Sequence, residues 1–348
     1  MIYIYCNNNG SVRQFMPFVD FLKKRGIEHE QIINLNCINL FKNESLNKYK
    51  HEIESMSRED IFFIVGNYVE FFQVRIFLWK NKYNNINIIY RARGIIGEES
   101  FIKNNSIIKL KILNIIEKYV LKKSYFILTV SEKQKIHYRN KYGINENKMY
   151  TIHNYSSYEN ISSDIEGNFL KEVVYVGGAS KWQQTEKVSE IFKFINDRDK
   201  GIRFLICTNE SDMNIIEERF SNITNVEIVS LEYDDLIKRI SKSTAGIIFR
   251  DDSIVNKVSS PFKIIDYFNA NLPIIMTETI GDYNDILRDK GFIKIIQFRN
   301  INIDQKENIY TFINEMYASR EKYAKEIDNF KREYLSIDKE IDKIIDLL

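Results

Sequence analysis

Residues 258–276 read VSSPFKIIDYFNANLPIIM, a helical pattern that runs straight into a strand. Ser260 is a favourable N-cap and Pro261 suits the first helical position. Ile264, Ile265 and Phe268 supply an apolar face before Asn271 and Pro273 end the run, and LPIIMT then has the continuous hydrophobicity of a buried strand. Lys263 falls in the first turn of this helix, where free N–H groups and the macrodipole are already positive, so an unliganded cation there costs a few tenths of a kcal/mol, up to about 1. An anion held between the helix end and the ammonium would reverse that sign.

Working outward from this helix–strand step, the same alternation fills the chain. Near-continuous apolar runs at Glu172–Gly178, Arg203–Thr208, Asn225–Ser230, Ala245–Arg250 and Leu272–Thr277 are separated by helical patterns. An earlier set, Ile2–Cys6, Ile61–Gly66, Ile86–Gly94, Tyr125–Ser131 and Lys148–Asn154, has the same form. Strands this apolar are buried on both faces, as in parallel sheets covered by helices. Tyr155–Gly167, rich in Ser and Asn and without apolar periodicity, reads as a linker. The expectation is therefore an α/β chain of two Rossmann-like domains, residues 1–160 and 168–329. A charged helical tail runs from about Ile309 to Leu348, its last part, about 330–348, packing back on the first domain.

A chain of 348 residues with 44% hydrophobic residues has the core material for two such domains. Cys6, Cys37 and Cys207 are widely spaced, and the N-terminal MIYIYC has neither the charged start nor the long apolar stretch of a signal peptide, so free thiols and a cytoplasmic location are expected. No hydrophobic run approaches the roughly 20 residues a spanning helix needs. His29, His51, His137 and His153 lack metal-ligand spacing. Residues 1–155 carry 24 Lys+Arg against 14 Asp+Glu, a balance of +10, while the remainder has 26 against 34, or −8. The basic half suits a phosphorylated substrate or an anionic membrane surface; without a basic stripe interleaved with aromatics, nucleic acid is not the expected partner.

In open α/β sheets ligands bind beyond the carboxyl ends of the strands. Those places hold Gly177, Gly178 and Lys181 after the first strand of the second half, Arg250 after its fourth, and the Ser260 helix start with Lys263 beyond. Glycines that let backbone approach closely, a helix N-terminus and three cations together make a diphosphate site. Asp266 lies three residues past Lys263 on the same helix face, placed for ribose hydroxyls.

At this point FRDDSIVNKVSSPFKIIDYFNANLPIIM (residues 249–276) resembles the nucleotide-sugar signature of bacterial GT-B glycosyltransferases related to family 4. VYVGGASKWQ resembles the glycine-rich turn of the same enzymes, and ILTVSEKQKIHYRNKYGINENKMYTIHN the segment that closes their N-terminal domain. The resemblance implies two domains facing across a cleft, the second binding a nucleoside diphosphate sugar and the first an acceptor. Lys181, Arg250 and Lys263 would contact the diphosphate and Asp266 the ribose. Val258 and Asp266 stand where many retaining members carry two glutamates, and YRARGIIGEES resembles an R-G-x-x-x-E-E variant of capsule and lipopolysaccharide transferases. In that loop Glu98 or Glu99 would orient or deprotonate an acceptor hydroxyl and Arg91 or Arg93 would hold a phosphate. Gly10 and Arg13, in NNNGSVRQF, would lie beneath the transfer site. The implied activity is metal-independent, cofactor-free sugar transfer to a glycan or lipid-linked glycan in bacterial surface polysaccharide synthesis. A nucleotide-sugar epimerase, or a non-catalytic partner on the same fold, are the alternatives.

Ser106–Ser124, SIIKLKILNIIEKYVLKKS, reads as a basic amphipathic helix, with Lys111, Lys118 and Lys122 on one side and Ile108, Ile112, Ile115, Ile116 and Tyr119 on the other. As a helix covering the sheet it would turn those isoleucines to the core and its lysines to water, or to an anionic inner-membrane face.

Overall fold

The computed structural model describes residues 1–34, 44–83, 85–154, 169–335, 340–342 and 344. The linker expected at Tyr155–Gly167 and the thiol of Cys37 lie outside the described residues. The chain divides into two compact units: Met1–Ser157 with Val258–Ser260 and Ser336–Leu348, and Tyr158–Lys257 with Pro261–Leu335.

The first unit holds a six-stranded sheet of β1 (Ile2–Cys6), β2 (His29–Ile33), β3 (Phe62–Val65), β4 (Asn87–Ala92), β5 (Ile127–Thr129) and β6 (Met149–Thr151), in the order β2-β1-β3-β4-β5-β6. The second holds β7 (Glu172–Val176), β8 (Arg203–Cys207), β9 (Val226–Val229), β10 (Ala245–Ile248), β11 (Ile274–Thr277) and β12 (Ile293–Ile296), in the order β12-β11-β10-β7-β8-β9. Every pairing is parallel. β1, β3, β7, β10 and β11 are buried along their whole length, which is why their sequences are apolar apart from Glu172 at the start of β7 and Thr277 at the end of β11. Each sheet grows outward in both directions from its first strand, so the order reverses at β1/β3 and at β7/β10. A crevice opens at such a switch point, because the helices flanking it lie on opposite faces.

Six helices matter below: α1 (Asn9–Lys24), α2 (Tyr68–Lys80), α3 (Ile96–Asn104), α4 (Ile107–Lys123), α5 (Glu132–Tyr142) and α6 (Phe262–Asn269). At the second switch point β7 and β10 pair only at Val173–Ala245 and Val174–Gly246. Beyond that pairing the Tyr267 hydroxyl of α6 accepts from the Val176 N–H (3.1 Å) and donates to the Ile247 carbonyl (2.9 Å), occupying the place of ladder hydrogen bonds. Gly246 makes room for it: a Cβ there would lie 2.7 Å from the Tyr267 ring.

The tail helix Arg320–Tyr334 packs into the core of the second unit through Ile327 and Phe330. Within the first unit, Glu340 accepts from the His153 N–H at 2.8 Å and Asp342 pairs with Arg25 at 2.7 Å.

α4 corrects one expectation. Leu113, Val120, Leu121 and Glu117 are its buried residues, while Ile108, Ile112, Ile115 and Tyr119 are exposed. The reason is Glu117. Its carboxylate accepts from the Ile96 N–H (2.9 Å), the Tyr142 hydroxyl (2.6 Å) and the Tyr138 hydroxyl (3.3 Å), with Lys141 at 3.8 Å. These bonds turn the glutamate inward and the isoleucine ridge outward. Among the described residues no helix is long and apolar enough to cross a membrane.

Candidate nucleotide and catalytic sites

In the second unit the chain leaves β7 at Gly177, with φ at +138°, a conformation side-chain-bearing residues avoid. A Cβ there would also overlap the Lys263 ammonium and the Gln183 amide oxygen. At Gly178 a Cβ would overlap the carboxylate of Asp212, which accepts the Ala179 N–H at 3.0 Å. The two glycines are therefore required by close approach of other groups, not by a turn alone.

Lys263 extends from the first turn of α6 over the Tyr175 ring, 4.5 Å from its centroid. It donates to the Tyr175 hydroxyl at 3.3 Å and to the Gln183 amide oxygen, which also accepts from Tyr175 at 2.7 Å. Arg250 is buried beyond β10, and its Nη1 donates to the Trp182 carbonyl at 3.3 Å. The Arg250 backbone is fixed by Thr277, which accepts its N–H at 2.9 Å, and by Thr279, which donates to its carbonyl at 2.8 Å. Nearby carboxylates are engaged elsewhere: Asp251 accepts from Asn256 at 2.5 Å, and Asp252 pairs with Lys257 and Arg299.

Burial, then the Arg250 charge, hold the Lys263 pKa well below that of a free lysine, and only Asp266 acts the other way. Burial likewise pushes Arg250 down. The two like charges repel one another, and among the described residues no carboxylate lies within ion-pair distance of Lys263. An unpaired charge in a low-dielectric site is unfavourable, and a dianion between two such groups reverses that.

The remaining second-unit candidates fall variously. Asp266 is buried on α6, one turn past Lys263. Lys181 is exposed on the short turn Lys181–Gln183, and Gln183, which sequence reasoning passed over, is the residue of that turn facing Lys263. Ser260 is not the N-cap: α6 begins at Phe262 with Pro261 in the capping position. The Ser260 hydroxyl instead accepts the Asn154 N–H at 3.0 Å, and its carbonyl accepts from the Asn154 amide at 2.5 Å, bonds internal to the first unit.

In the first unit, Gly10 and Arg13 lie in the early turns of α1; the Arg13 side chain lies outside what the structure describes. At the β1/β3 switch point a residue not foreseen does the organising. Glu70, fully buried, accepts the N–H groups of Asn7 (2.8 Å) and Gly66 (2.7 Å), tying the two loops that leave the sheet there. Its signal was legible, since Asn67 caps α2 by accepting the Glu70 N–H at 2.9 Å in an N-x-x-E capping pattern. Arg91 donates to the carbonyls of Ile152 and His153 (both 3.3 Å) and to the Asn154 amide oxygen (3.1 Å). Arg93 donates to the Gly66 carbonyl at 2.7 Å. Both arginines thus brace backbone that frames the loop.

Glu98 and Glu99 occupy the first turn of α3 and face different surroundings. Glu98 pairs with Lys141 at 2.5 Å and lies 3.8 Å from the His137 ring. Glu99 lies against Gly94, where any Cβ would overlap its carboxylate, and burial raises its pKa. The Gly94 carbonyl is fixed by the Tyr138 hydroxyl (2.8 Å) and the Gln134 amide (3.1 Å), so the backbone beneath Glu99 is held in place.

Two six-stranded parallel Rossmann-like sheets, each with its switch point, are the architecture of the GT-B glycosyltransferases, and the chain has that fold. No protein-family model matches the chain, and no curated protein matches it. Solved structures do. TarM of S. aureus superposes with a TM-score of 0.68 at 15% identity, over 87% of this chain and 58% of its own, so this chain spans little more than half of TarM. HepE of Anabaena in complex with UDP-glucose gives 0.65 at 12% identity over 100% and 99% of the two chains. A glycosyltransferase from Rickettsia africae gives 0.66 at 15% over 99% and 97%.

Proposed function

We propose that this chain transfers a glycosyl group from a nucleoside diphosphate sugar to a hydroxyl of a glycan or lipid-linked glycan, in bacterial surface polysaccharide synthesis. The observation that carries the reading is the pair of cations at the carboxyl end of the second sheet's switch point, Arg250 buried and Lys263 half-buried, each held below its ordinary pKa. Cleavage of the bond between the anomeric carbon and the diphosphate sends an electron pair onto a phosphate oxygen, and preorganised cations in a dry site stabilise that charge best. With two positive charges supplied by side chains, the transfer takes no metal ion and no cofactor. Asp266 holds the ribose hydroxyls, and Gln183 with the Gly177–Gly178 backbone completes the phosphate cradle. Lys181 serves as an outer cation. In the first unit Glu99 takes the proton of the acceptor hydroxyl as the new glycosidic bond forms, a carboxyl raised by burial being a better match to neutral pH than an ordinary one. Glu98, paired with Lys141, orients the turn.

Solved structures with this fold carry UDP, UDP with glucose, or ADP, which sets the order of donors to try. Purified chain in the presence of a chelator should release UDP from a UDP-sugar slowly with water and faster with a lipid-linked or short glycan acceptor. Absence of calorimetric binding of both UDP and ADP would overturn the reading. Binding with interconversion of the sugar, and no release of nucleotide, would assign the site to an epimerase.

A further inference from the structure

We propose that the first unit docks on an anionic lipid bilayer through the outer face of α4, which lies in the interfacial plane of the membrane. This stands independently of the sugar-transfer reading, since it uses none of the residues assigned to donor or acceptor.

At 3.6 residues per turn, Ile108, Ile112, Ile115 and Tyr119 fall on one ridge of about 16 Å. Ile108 is 75% exposed and Ile115 70%. Lys111, Lys118 and Lys122 border this ridge on one side and Lys109 and Lys123 on the other, all exposed. The sequence pattern had set lysines opposite isoleucines; in the fold they flank them. The helix's one acidic residue, Glu117, is turned inward and bonded to Ile96, Tyr138 and Tyr142. Every charge α4 shows to solvent is therefore positive, and the inward bonds prevent the helix from rolling to hide its ridge.

The apolar face continues onto α2. Tyr119 stacks on Phe72 with ring centroids 5.8 Å apart and 14° between planes. Beside them is a groove of about 340 Å³ with Arg75 and Trp79 in its wall, and Trp79 is itself 70% exposed. An apolar ridge bordered by long cationic side chains, with an exposed tryptophan at its margin, matches a headgroup–acyl boundary: the ridge enters the acyl region while the lysines reach back to phosphates. A second copy is a poorer occupant, because a two-fold contact would set these lysines against one another. Nucleic acid would satisfy the lysines and leave the isoleucines in water.

The test is co-sedimentation of the full chain with vesicles of phosphatidylglycerol mixed with phosphatidylcholine, against phosphatidylcholine alone. Binding should appear on the anionic vesicles at about 0.01 M ionic strength, where charges act over about 30 Å, and fade toward about 1 M, where the reach is about 3 Å. Lys118→Gln with Lys122→Gln should weaken it about 30-fold, at about 5-fold per lysine. Ile108→Asp with Ile115→Asp should abolish it, both sites being exposed so that folding is preserved. Quenching of Trp79 emission by brominated acyl chains, in a Trp182→Phe background, should accompany binding. Equal binding to both vesicle types, or none to the anionic ones, overturns the proposal. So does a concentration-dependent dimer in sedimentation velocity that Ile108→Asp dissolves while vesicles leave it untouched, since the ridge would then belong to a second copy.

Discussion

Replacing Lys263 with Met tests the nucleotide site most directly, because the change keeps the length and apolar stem of the side chain and removes the charge. In the ligand-free protein the ammonium lies over the Tyr175 ring in a site where burial and the Arg250 charge disfavour its charged form, so Lys263→Met should leave thermal stability unchanged or raise it. The partners it abandons are not stranded, since Gln183 keeps the bond from Tyr175. Nucleotide affinity should behave oppositely. A charge-assisted contact to phosphate, lost from a partly buried site, is worth about 1.5–3 kcal/mol, or roughly 10- to 150-fold in Kd. Taking about 100-fold, UDP at 100 times the parent Kd stabilises the parent by about 2.7 kcal/mol and the variant by only about 0.4. For a unit of this size that is a Tm rise of about 5–10 °C against 1–2 °C. Differential scanning fluorimetry with and without UDP, backed by calorimetry, reads both halves. A variant whose UDP-induced shift equals the parent's would refute the reasoning, as would one that is less stable without ligand.

Two other outcomes follow from the same chemistry. Glu99→Gln should lose about 100-fold or more in turnover with little change in UDP affinity, while Glu98→Gln, whose partner is Lys141, should keep turnover within a few-fold and lower the Tm; single-turnover assays that reverse the two would exchange their roles. Because Lys263 releases its proton at lower pH than a free lysine and phosphate favours the ammonium, UDP binding should take up protons and weaken as pH rises through that depressed pKa. Calorimetry in two buffers of different ionisation enthalpy measures the uptake, and identical heats would count against a buried cation at the phosphate.

Strands covered on both faces were readable as near-continuous apolar runs, and the edge strands β6 and β9 were readable from Met149 and the alternation of Val226–Val229 although neither is fully covered. β2, HEQII, escaped because it is an edge strand of the first sheet with one buried residue, Ile32, and β12, IKII, because a lysine interrupts four residues at an edge of the second sheet. The positions of two cations were legible, Arg250 just past β10 and Lys263 in the first turn of α6, while their proposed role stands on the chemistry of the site. Gln183 was not, since a neutral amide in a polar turn carries no signal until Lys263 is seen against it. The orientation of α4 misled for a definite reason: periodicity assigns isoleucines inward, and a single buried carboxylate with three hydrogen-bond donors outweighs that preference. Ser260 has the composition of a cap, but its hydroxyl is claimed by Asn154, 106 residues earlier in the chain, which no local rule can foresee.

The Tyr267 hydroxyl, set between Val176 and Ile247, has a mechanical meaning for the proposed phosphate site. It stands one helical turn after Lys263 on the same face of α6, so the wedge that parts the two strands and the ammonium laid over Tyr175 and Gly177 at the end of β7 are two teeth of one gear, engaged with the sheet at a fixed pitch. A slide of α6 along its axis would close the strands and withdraw the charge in the same movement. The distance from strand end to ammonium is thus gauged by helix geometry rather than by a loop, and changes in the surrounding loops leave that gauge as it is.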